Sequence, residues 1–394
     1  MAVFKLNDRV FYVGAIHNER RVFDQLIPLP DGTTYNAYII RGSDKTALID
    51  TVDPEKREDL FKNLEELGVD KIDFVIANHA EQDHSGSIPF VLERYPMAKV
   101  VTNEKCKNFL KDLLHLKEND FITISDGEEL SLGDRTLKFV FTPWVHWPET
   151  MVTFLEEDGI LFSCDFFGSH LAKTIPFIEE DPRVIEDAKR YYAEIMMPFR
   201  PTVRRNVDKV KALNPMIIAP SHGPVYKKPE IIINAYLDWT SENVKNQVVL
   251  PYVSMHGSTK VMVDYLIERL TENGIEVFPF DLSVTDIGKL AMTLVDSATL
   301  ILATPQFLGG AHPLAVYAAF LVNVLRPKLK YIGLVGSFGW GGMMVEQIKG
   351  LVSNIKAELI EPVLIKGLPD AESIRSLDSL VENVIKKHGE AGLL

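Results

Sequence analysis

The densest group of side chains able to do chemistry lies in residues 78–86, which read NHAEQDHSG. This segment contains His79, Glu81, Asp83 and His84, and it directly follows the apolar run DFVIA, a predicted strand. Buried histidine and carboxylate groups cost several kcal/mol unless they are paired or bind a metal ion. Because alternate residues of an extended segment point to the same side, His79, Glu81 and Asp83 could face one site. The segment therefore favours a metal site over the alternative, an exposed acidic turn.

Three further candidates follow apolar runs later in the first half of the chain. His146 lies in TPWVHWPET between Trp144 and Trp147, two side chains that could exclude water. Asp165 ends the run GILFSCD, and His222 follows the run MIIAP. Singly, the three could be a hydrogen-bonded core histidine, a helix N-cap and a turn residue. Together with the first segment they form a series of ligand types at predicted strand ends, and we interpret that series as one metal site.

The second half of the chain contains three candidate binding loops, each directly after a predicted strand. The first runs straight into a helix, so its hydroxyl and N–H groups favour an anion such as phosphate, the alternative being a simple helix cap. It matches neither G-x-x-x-x-G-K-[ST] nor G-x-G-x-x-G. In the other two, glycines allow a ring system to approach the backbone, and an aromatic side chain could stack on it. The candidate residues are Ser254, Met255, His256, Gly257, Ser258 and Thr259, then Thr304, Pro305, Gln306, Phe307, Leu308 and Gly309, then Ser337, Phe338, Gly339, Trp340 and Gly341.

Two patterns of predicted elements position these residues. Up to about residue 245, short β-rich runs with hairpin turns alternate with helices, which indicates an α/β sandwich of sheets covered by helices. Beyond it, apolar strands alternate with helices in the pattern of a doubly wound parallel sheet. We therefore predict an α/β chain with one domain at residues 1–246 and another at 247–394. Pro251 cannot donate a ladder hydrogen bond, so we expect it at the start of its strand or at a bulge.

The composition limits the classes of function. The 394 residues carry 42 Lys and Arg against 55 Asp and Glu, a formal net charge of −13, which disfavours binding to nucleic acid or to an anionic membrane. The only cysteines, Cys106 and Cys164, form no C-x-x-C pair and no disulfide framework. The first residues lack the apolar core of a signal peptide, and no apolar run approaches about 18 residues. We therefore expect a soluble, cytoplasmic protein.

The metal-site residues have a recognisable order. The pattern H-x-E-x-D-H, followed by a lone His, an Asp and a final His, resembles the metal-binding pattern of the metallo-β-lactamase fold. The usual hydrolases of that fold have H-x-H-x-D-H, whereas Glu81 takes the place of the second histidine here. A carboxylate at that place suits iron better than zinc. With the motif WVHWPETM and the flavodoxin-like second half, the whole chain is similar to the flavodiiron proteins, also called A-type flavoproteins.

The resemblance implies an αβ/βα metallo-β-lactamase-like diiron domain followed by a flavodoxin-like domain that binds FMN. The implied ligands are His79, Glu81 and His146 for one iron and Asp83, His84 and His222 for the other, with Asp165 as the bridge. Trp147 and His170 are candidates for lining the pocket. The three loops of the second half would hold the phosphate and the ring of FMN.

The activity that the resemblance implies is reduction of O2 to water, of NO to N2O, or of both. Electrons would pass from an external donor such as rubredoxin through FMN to the irons, in a head-to-tail homodimer or a dimer of dimers. Two other interpretations stay open. One is a zinc-dependent hydrolase of the metallo-β-lactamase fold with an accessory flavodoxin-like domain, and the other is a non-enzymatic electron carrier or sensor with a metal-free first domain.

Overall fold

The computed structural model describes residues 3–394. The chain divides into two compact units, of which the first comprises the residues up to Tyr192 together with Phe199–Thr240. The second comprises Ala193–Pro198 and Ser241–Leu394. The domain boundary between residues 246 and 247 stays a prediction.

The first unit is built on two large mixed sheets. The first sheet contains, in spatial order, β1 (Phe4–Lys5), β2 (Val10–Tyr12), β7 (Tyr38–Arg41), β8 (Thr46–Ile49), β9 (Phe74–Ile76), β10 (Lys99–Asn103) and β11 (Phe121–Ile124). The second sheet contains β12 (Glu129–Ser131), β13 (Thr136–Phe141), β14 (Met151–Leu155), β15 (Ile160–Cys164), β17 (Ile217–Pro220), β18 (Val225–Tyr226) and β16 (Phe177–Ile178). Two small hairpin-like sheets pair β3 (Ala15–His17) with β6 (Thr33–Tyr35) and β4 (Val22–Phe23) with β5 (Ile27–Pro28).

Helices connect these strands. The α-helices of the first unit are α1 (Arg57–Glu66), α2 (Gln82–Ser85), α3 (Ile88–Arg94), α4 (Glu104–Leu114), α5 (Pro182–Tyr191), α6 (Arg200–Leu213) and α7 (Pro229–Trp239). Short 3₁₀ turns cover Pro54–Lys56, Glu118–Asp120 and Met197–Phe199, and a π-helical turn covers Tyr192–Met196.

The core of the first unit has two layers. Between the two sheets, alternate residues such as Ile40 and Ile49 meet Phe139 and Phe162 in one fully buried cluster. On its other face, the first sheet packs against α1, α3 and α4 through a second cluster that includes Leu60. Burial of one such side chain contributes about 1.5–3 kcal/mol. The predicted sandwich of sheets with covering helices is confirmed.

The second unit is a parallel sheet with helices on both faces. Its central strands are, in spatial order, β20 (Glu276–Asp281), β19 (Lys245–Tyr252), β21 (Ser297–Phe307) and β23 (Tyr331–Phe338). Two short strands, β24 (Glu358–Leu359) and β25 (Val363–Lys366), both pair with the free side of β23. A further short strand, β22 (Gly310–Ala311), pairs with β21. Its helices are α8 (Ser258–Glu272), α9 (Ile287–Leu294), α10 (Pro313–Leu325), α11 (Met344–Leu351) and α12 (Ala371–Glu390). One face packs on α8 and α12, and the other on α9, α10 and α11. The order, with the second strand outside the first, is that of flavodoxin-like sheets, so the predicted doubly wound fold is confirmed.

The prediction for Pro251 is wrong. Pro251 lies one residue before the end of the internal strand β19, opposite Phe280, and not at the start of the strand or at the register shift near Lys245. The pairing continues beyond it, since the N–H of Val253 donates to the carbonyl oxygen of Ala303, so the ladder lacks one donor at Pro251. No helix within residues 3–394 combines the length and the apolar character needed to cross a membrane.

Candidate metal centre and flavin-binding loops

The segment after β9 carries four of the predicted ligands. β9 ends at Ile76, the chain bends at Asn78 and at Glu81, and α2 begins at Gln82. The expectation that Asp83 shares the extended segment with His79 and Glu81 is therefore wrong, because Asp83 and His84 lie on the helix. Because the backbone turns into a helix at Gln82, His79 and Glu81 belong to one group of possible ligands and Asp83 and His84 to a neighbouring one.

The first group of possible ligand atoms comes from three separate parts of the chain. Glu81 Oε2 lies 3.1 Å from His79 Nε2 and 3.1 Å from His146 Nε2. Asp165, directly after β15, places Oδ2 at 3.5 Å from His79 Nε2 and 3.6 Å from His146 Nε2. All four atoms lie within 4.8 Å of one another.

The second group uses the other oxygen of the same aspartate. Asp165 Oδ1 lies 3.0 Å from His84 Nε2 and 3.5 Å from His222 Nε2. Asp83 completes this group, with Oδ1 at 3.4 Å from His84 Nε2 and Oδ2 at 3.0 Å from His222 Nε2. His84 therefore faces the site in this structure. Asp165 presents one oxygen to each group, which is the geometry of a bridging carboxylate.

Several of the possible ligand atoms are placed to bind metal ions and do not hydrogen-bond to one another. Asp83 Oδ1 and Oδ2, His84 Nε2 and Asp165 Oδ2 are buried and make no hydrogen bond within the described residues. Neighbouring ligands that are each about 2.1 Å from one ion lie about 3 Å apart, as these atoms do. Four imidazoles and three carboxylates form a donor set that suits iron. The residues present therefore fit two ions, with Asp165 between them.

Charges in the site move its pKa values. Burial by itself lowers the pKa of His84, but the carboxylates of Asp165 and Asp83 raise it to about 10. Burial raises the pKa of Asp165, but the charges of His84, His79 and His222 hold that pKa well below its ordinary value. Positive charge is thus strongly favoured inside this buried site, and a metal cation supplies it when it displaces the protons.

Partners outside the two groups fix the orientation of the rings. His79 Nδ1–H donates to Glu149 Oε1 at 2.7 Å, and His222 Nδ1–H donates to the carbonyl oxygen of Thr34 at 2.6 Å. Each bond leaves Nε2 directed into the site. The Tyr191 hydroxyl donates to Asp165 Oδ1 at 2.7 Å.

Sequence reasoning missed Glu149 and Tyr191. Glu149 stands inside the motif WPET, where an acidic residue just before the buried strand β14 was an available signal. Tyr191 lies at the end of α5, and no local pattern connects it to Asp165.

The predicted pocket residues occupy different places. The His170 ring lies 5.0 Å from that of His222, and its Nδ1 is 2.9 Å from the Thr33 hydroxyl. Burial lowers the pKa of His170 well below its ordinary value, so it is a neutral neighbour of the two groups. Trp147 packs edge-on against His79 with centroids 5.0 Å apart. Trp144, also predicted to exclude water, instead stacks on Phe199 and is 45% exposed.

The first predicted flavin loop connects β19 to α8. Gly257, with φ of +93°, directly precedes the helix, and the hydroxyl of Ser254 accepts from the N–H groups of Gly257 and Lys260. The Thr259 hydroxyl lies 3.0 Å from that of Ser337, which joins the first loop to the third. N–H groups at a helix start are suited to a phosphate.

The other two loops are held together at the ends of their strands. β21 runs on to Phe307, so Thr304–Phe307 are strand residues and not loop residues as predicted, because β21 pairs with β22 there. β23 likewise runs on to Phe338, so Ser337 and Phe338 are strand residues as well. Gln306 Nε2 donates to the carbonyl oxygens of Leu308 at 2.7 Å and Gly341 at 3.3 Å. A Cβ on Gly309, Gly339 or Gly341 would meet no atom within 4 Å. The open backbone, with Trp340 68% exposed beside it, fits a flat ring system.

Comparisons with known proteins agree with this architecture. The family model described as ODP family beta lactamase matches residues 33–223. A protein named nitric oxide reductase, from Moorella thermoacetica, is 33% identical over 380 residues, covering 94% of this chain and 95% of the relative. A flavo-diiron protein of Clostridium acetobutylicum is 31% identical over 379 residues, covering 90% and 91%. The solved structure of rubredoxin oxygen:oxidoreductase from Desulfovibrio gigas superposes with a TM-score of 0.94 at 27% identity, covering 98% of each chain.

The fold and the two sites thus define a metallo-β-lactamase-like metal protein fused to a flavodoxin-like flavoprotein. The chain belongs to the flavodiiron family, the A-type flavoproteins, as the resemblance of its motifs implied.

Proposed function

We propose that this protein is an oxidoreductase that reduces O2 to water, NO to N2O, or both, at a non-haem diiron centre. Electrons reach the centre through FMN from an external donor such as rubredoxin. The observation that carries the proposal is Asp165, whose two oxygens face two buried groups of His and carboxylate atoms. The names of the relatives from Moorella and Desulfovibrio support the two substrates and the donor.

The electron count supports the pairing of cofactors. When bound, two ferrous ions and one reduced FMN supply four electrons together, which is the number that converts O2 and four protons into two waters. Conversion of two NO and two protons into N2O and water takes two. The same pair of cofactors therefore suits either gas.

The protein's own residues hold and shield the centre. Asp165 joins the two groups, because one of its oxygens faces each of them. The Tyr191 hydroxyl donates to Oδ1 and so fixes the orientation of this carboxylate. Trp147 closes the side next to His79, while Phe23 packs within 6.1 Å of the His222 ring. His79, His84 and His222 are almost fully buried, so bulk water is kept from the reacting atoms.

The zinc-hydrolase alternative is disfavoured by Glu81. Its Oε2 stands between two histidine nitrogens, where the hydrolase pattern has an imidazole. The carrier or sensor alternative requires a first domain without metal, and the buried donor atoms that make no hydrogen bond disfavour it. Both free cysteines, Cys106 and Cys164, are buried, which fits our proposal of a cytoplasmic location.

We also propose a head-to-tail homodimer, or a dimer of dimers, in which the flavin of one chain serves the irons of another. Apolar side chains that are exposed in the flavin loops and next to them support a covered face there: Phe307, Leu308 and Trp340 in the loops, and Met343 next to them. An interface variant that is monomeric by analytical ultracentrifugation should keep both cofactors and lose turnover. A monomer that turns over at the normal rate would refute this assembly.

The function is tested by reducing the purified protein anaerobically with a rubredoxin-type donor and then measuring O2 and NO consumption in separate electrode assays. We expect consumption of at least one gas, with water or N2O as product. Ester or lactam hydrolysis by a zinc-loaded protein without gas consumption would favour the hydrolase. A yellow protein that consumes neither gas would favour the carrier.

The flavin loops are tested by Gly341→Val. The valine side chain would enter space next to the backbone that is open in this structure. A flavin ring lying against the backbone would need the same space. We expect the variant to be purified with little FMN and an unchanged iron content, measured by absorbance and by metal analysis. Gly350→Val, at an equally open and exposed glycine on α11, is the matched control and should keep its flavin. Full FMN in the Gly341 variant would show that the ring lies elsewhere.

A further inference from the structure

The carboxylate of Glu149 lies directly behind the His79 ring, outside the two groups. Oε1 accepts from His79 Nδ1 at 2.7 Å and from the N–H of Ala80 at 3.2 Å. The backbone carbonyl of Glu149 accepts from Asn103 Nδ2 at 2.6 Å. The side chain is fully buried. Two hydrogen bonds thus hold the carboxylate against the segment of His79 and Ala80, and a third holds the backbone of Glu149 to Asn103.

A carboxylate behind a ligand histidine changes what the ring does. It fixes the tautomer with the proton on Nδ1, so that the lone pair of Nε2 is available to a metal ion. It also draws the Nδ1 proton towards itself, which makes the imidazole a stronger electron donor. Such partners are typically worth 10- to 100-fold in metal affinity or activity. In His79, Nε2 is the atom that faces Glu81 and Asp165.

The second group has no equivalent carboxylate. His222 Nδ1 donates to a backbone carbonyl, that of Thr34, which is a neutral acceptor. His84 Nδ1 makes no hydrogen bond within residues 3–394. Among the described residues, the first group therefore has a carboxylate hydrogen-bonded to one of its histidines, whereas His84 and His222 of the second group have none. The buried carboxylate of Asp50 interacts with His84 through its charge, and its oxygens accept from Asn78 and Ser221 instead.

We propose that Glu149 is a positioning residue that makes the two metal positions electronically unequal, so that the ion held by His79, Glu81 and His146 is the harder of the two to reduce. Negative charge and strong donors stabilise the higher oxidation state of an ion. On the diiron centre proposed above, the ion at the first position is then oxidised first and reduced last. This inference rests on that proposed centre.

Glu149→Gln tests the proposal. Glutamine keeps the size of the side chain and its hydrogen bond but removes the charge. In a redox titration followed by electron paramagnetic resonance of the half-reduced centre, we expect the two one-electron steps to move closer together than in the unchanged protein. A chelator competition should also show 10- to 100-fold weaker binding of one of the two irons.

Asn103→Ser is the control for a merely structural role. Serine still caps α4, but it is too short to hold the carbonyl oxygen of Glu149. If Glu149 only braces this loop, Asn103→Ser should change the titration and Glu149→Gln should not, because glutamine keeps the hydrogen bonds. The proposal requires the opposite result, a change in Glu149→Gln and none in Asn103→Ser. An unchanged separation in Glu149→Gln, with two irons bound in the unchanged protein, would overturn this inference and leave the proposed function intact. Absence of two irons from the unchanged protein would instead remove the proposed function.

Discussion

We expect Asp165→Ala to lose reduction of both gases while its FMN is retained. Within residues 3–394, Asp165 is the one side chain whose oxygens reach both groups, at 3.0 Å from His84 Nε2 and 3.5 Å from His79 Nε2. Removal of the side chain would deprive each proposed iron of one ligand. It would also remove the negative charge between the two ions that offsets their mutual repulsion. The loss should exceed the roughly 100-fold that removal of an outer partner can cause. Gas consumption and iron content, measured on the same sample, check this result.

The control for Asp165→Ala is Asp70→Ala, the same change at an exposed position of the first unit. This variant should keep two irons, full FMN and normal rates. Gas consumption that survives in Asp165→Ala would refute the assignment of Asp165 as the bridge. Loss of FMN as well as iron would indicate a global defect of folding, which a circular dichroism spectrum would reveal.

The second large effect is expected from Glu81→His, which restores the hydrolase pattern H-x-H-x-D-H. Glu81 Oε2 lies 3.1 Å from each of two histidine nitrogens, so a new imidazole would join a group that already contains two. Imidazole-rich sites suit zinc, and a carboxylate favours harder ions. Protein produced with both metals available should change from mostly iron to mostly zinc and lose gas reduction, as metal analysis and electrode assays would show.

Glu81→Asp is the matched variant, because it keeps the carboxylate and shortens the side chain. It should keep its preference for iron, with weaker binding. If Glu81→His still binds iron over zinc and still reduces O2 or NO, then Glu81 does not set the choice of metal. Glu81 would then no longer disfavour a zinc-dependent hydrolase.

The candidate ligands could be found in the sequence because they follow buried strands. His79 and Glu81 follow β9, Asp165 follows β15 and His222 follows β17, each within a few residues of the strand end. Their residue types also indicate metal binding, since histidines and carboxylates are costly to bury without a partner. The doubly wound second unit was predictable for a similar reason, because its apolar strands alternate strictly with helices.

What the sequence did not reveal depends on contacts between distant segments. Glu149 and Tyr191 act through bonds to His79 and Asp165, 70 and 26 residues away, and no spacing rule links such pairs. The start of α2 at Gln82 divides the ligand segment into two groups, which alternation along an extended chain could not show. The length of β21 depends on its pairing with β22, a contact made only in the fold.

The most direct test of the whole account is the metal content of the protein loaded with ⁵⁷Fe and studied by Mössbauer spectroscopy. We predict two high-spin irons per chain that are magnetically coupled and that disappear together in Asp165→Ala. A single uncoupled iron, or a site filled by zinc when iron is equally available, would contradict the claim that these seven side chains hold a diiron centre.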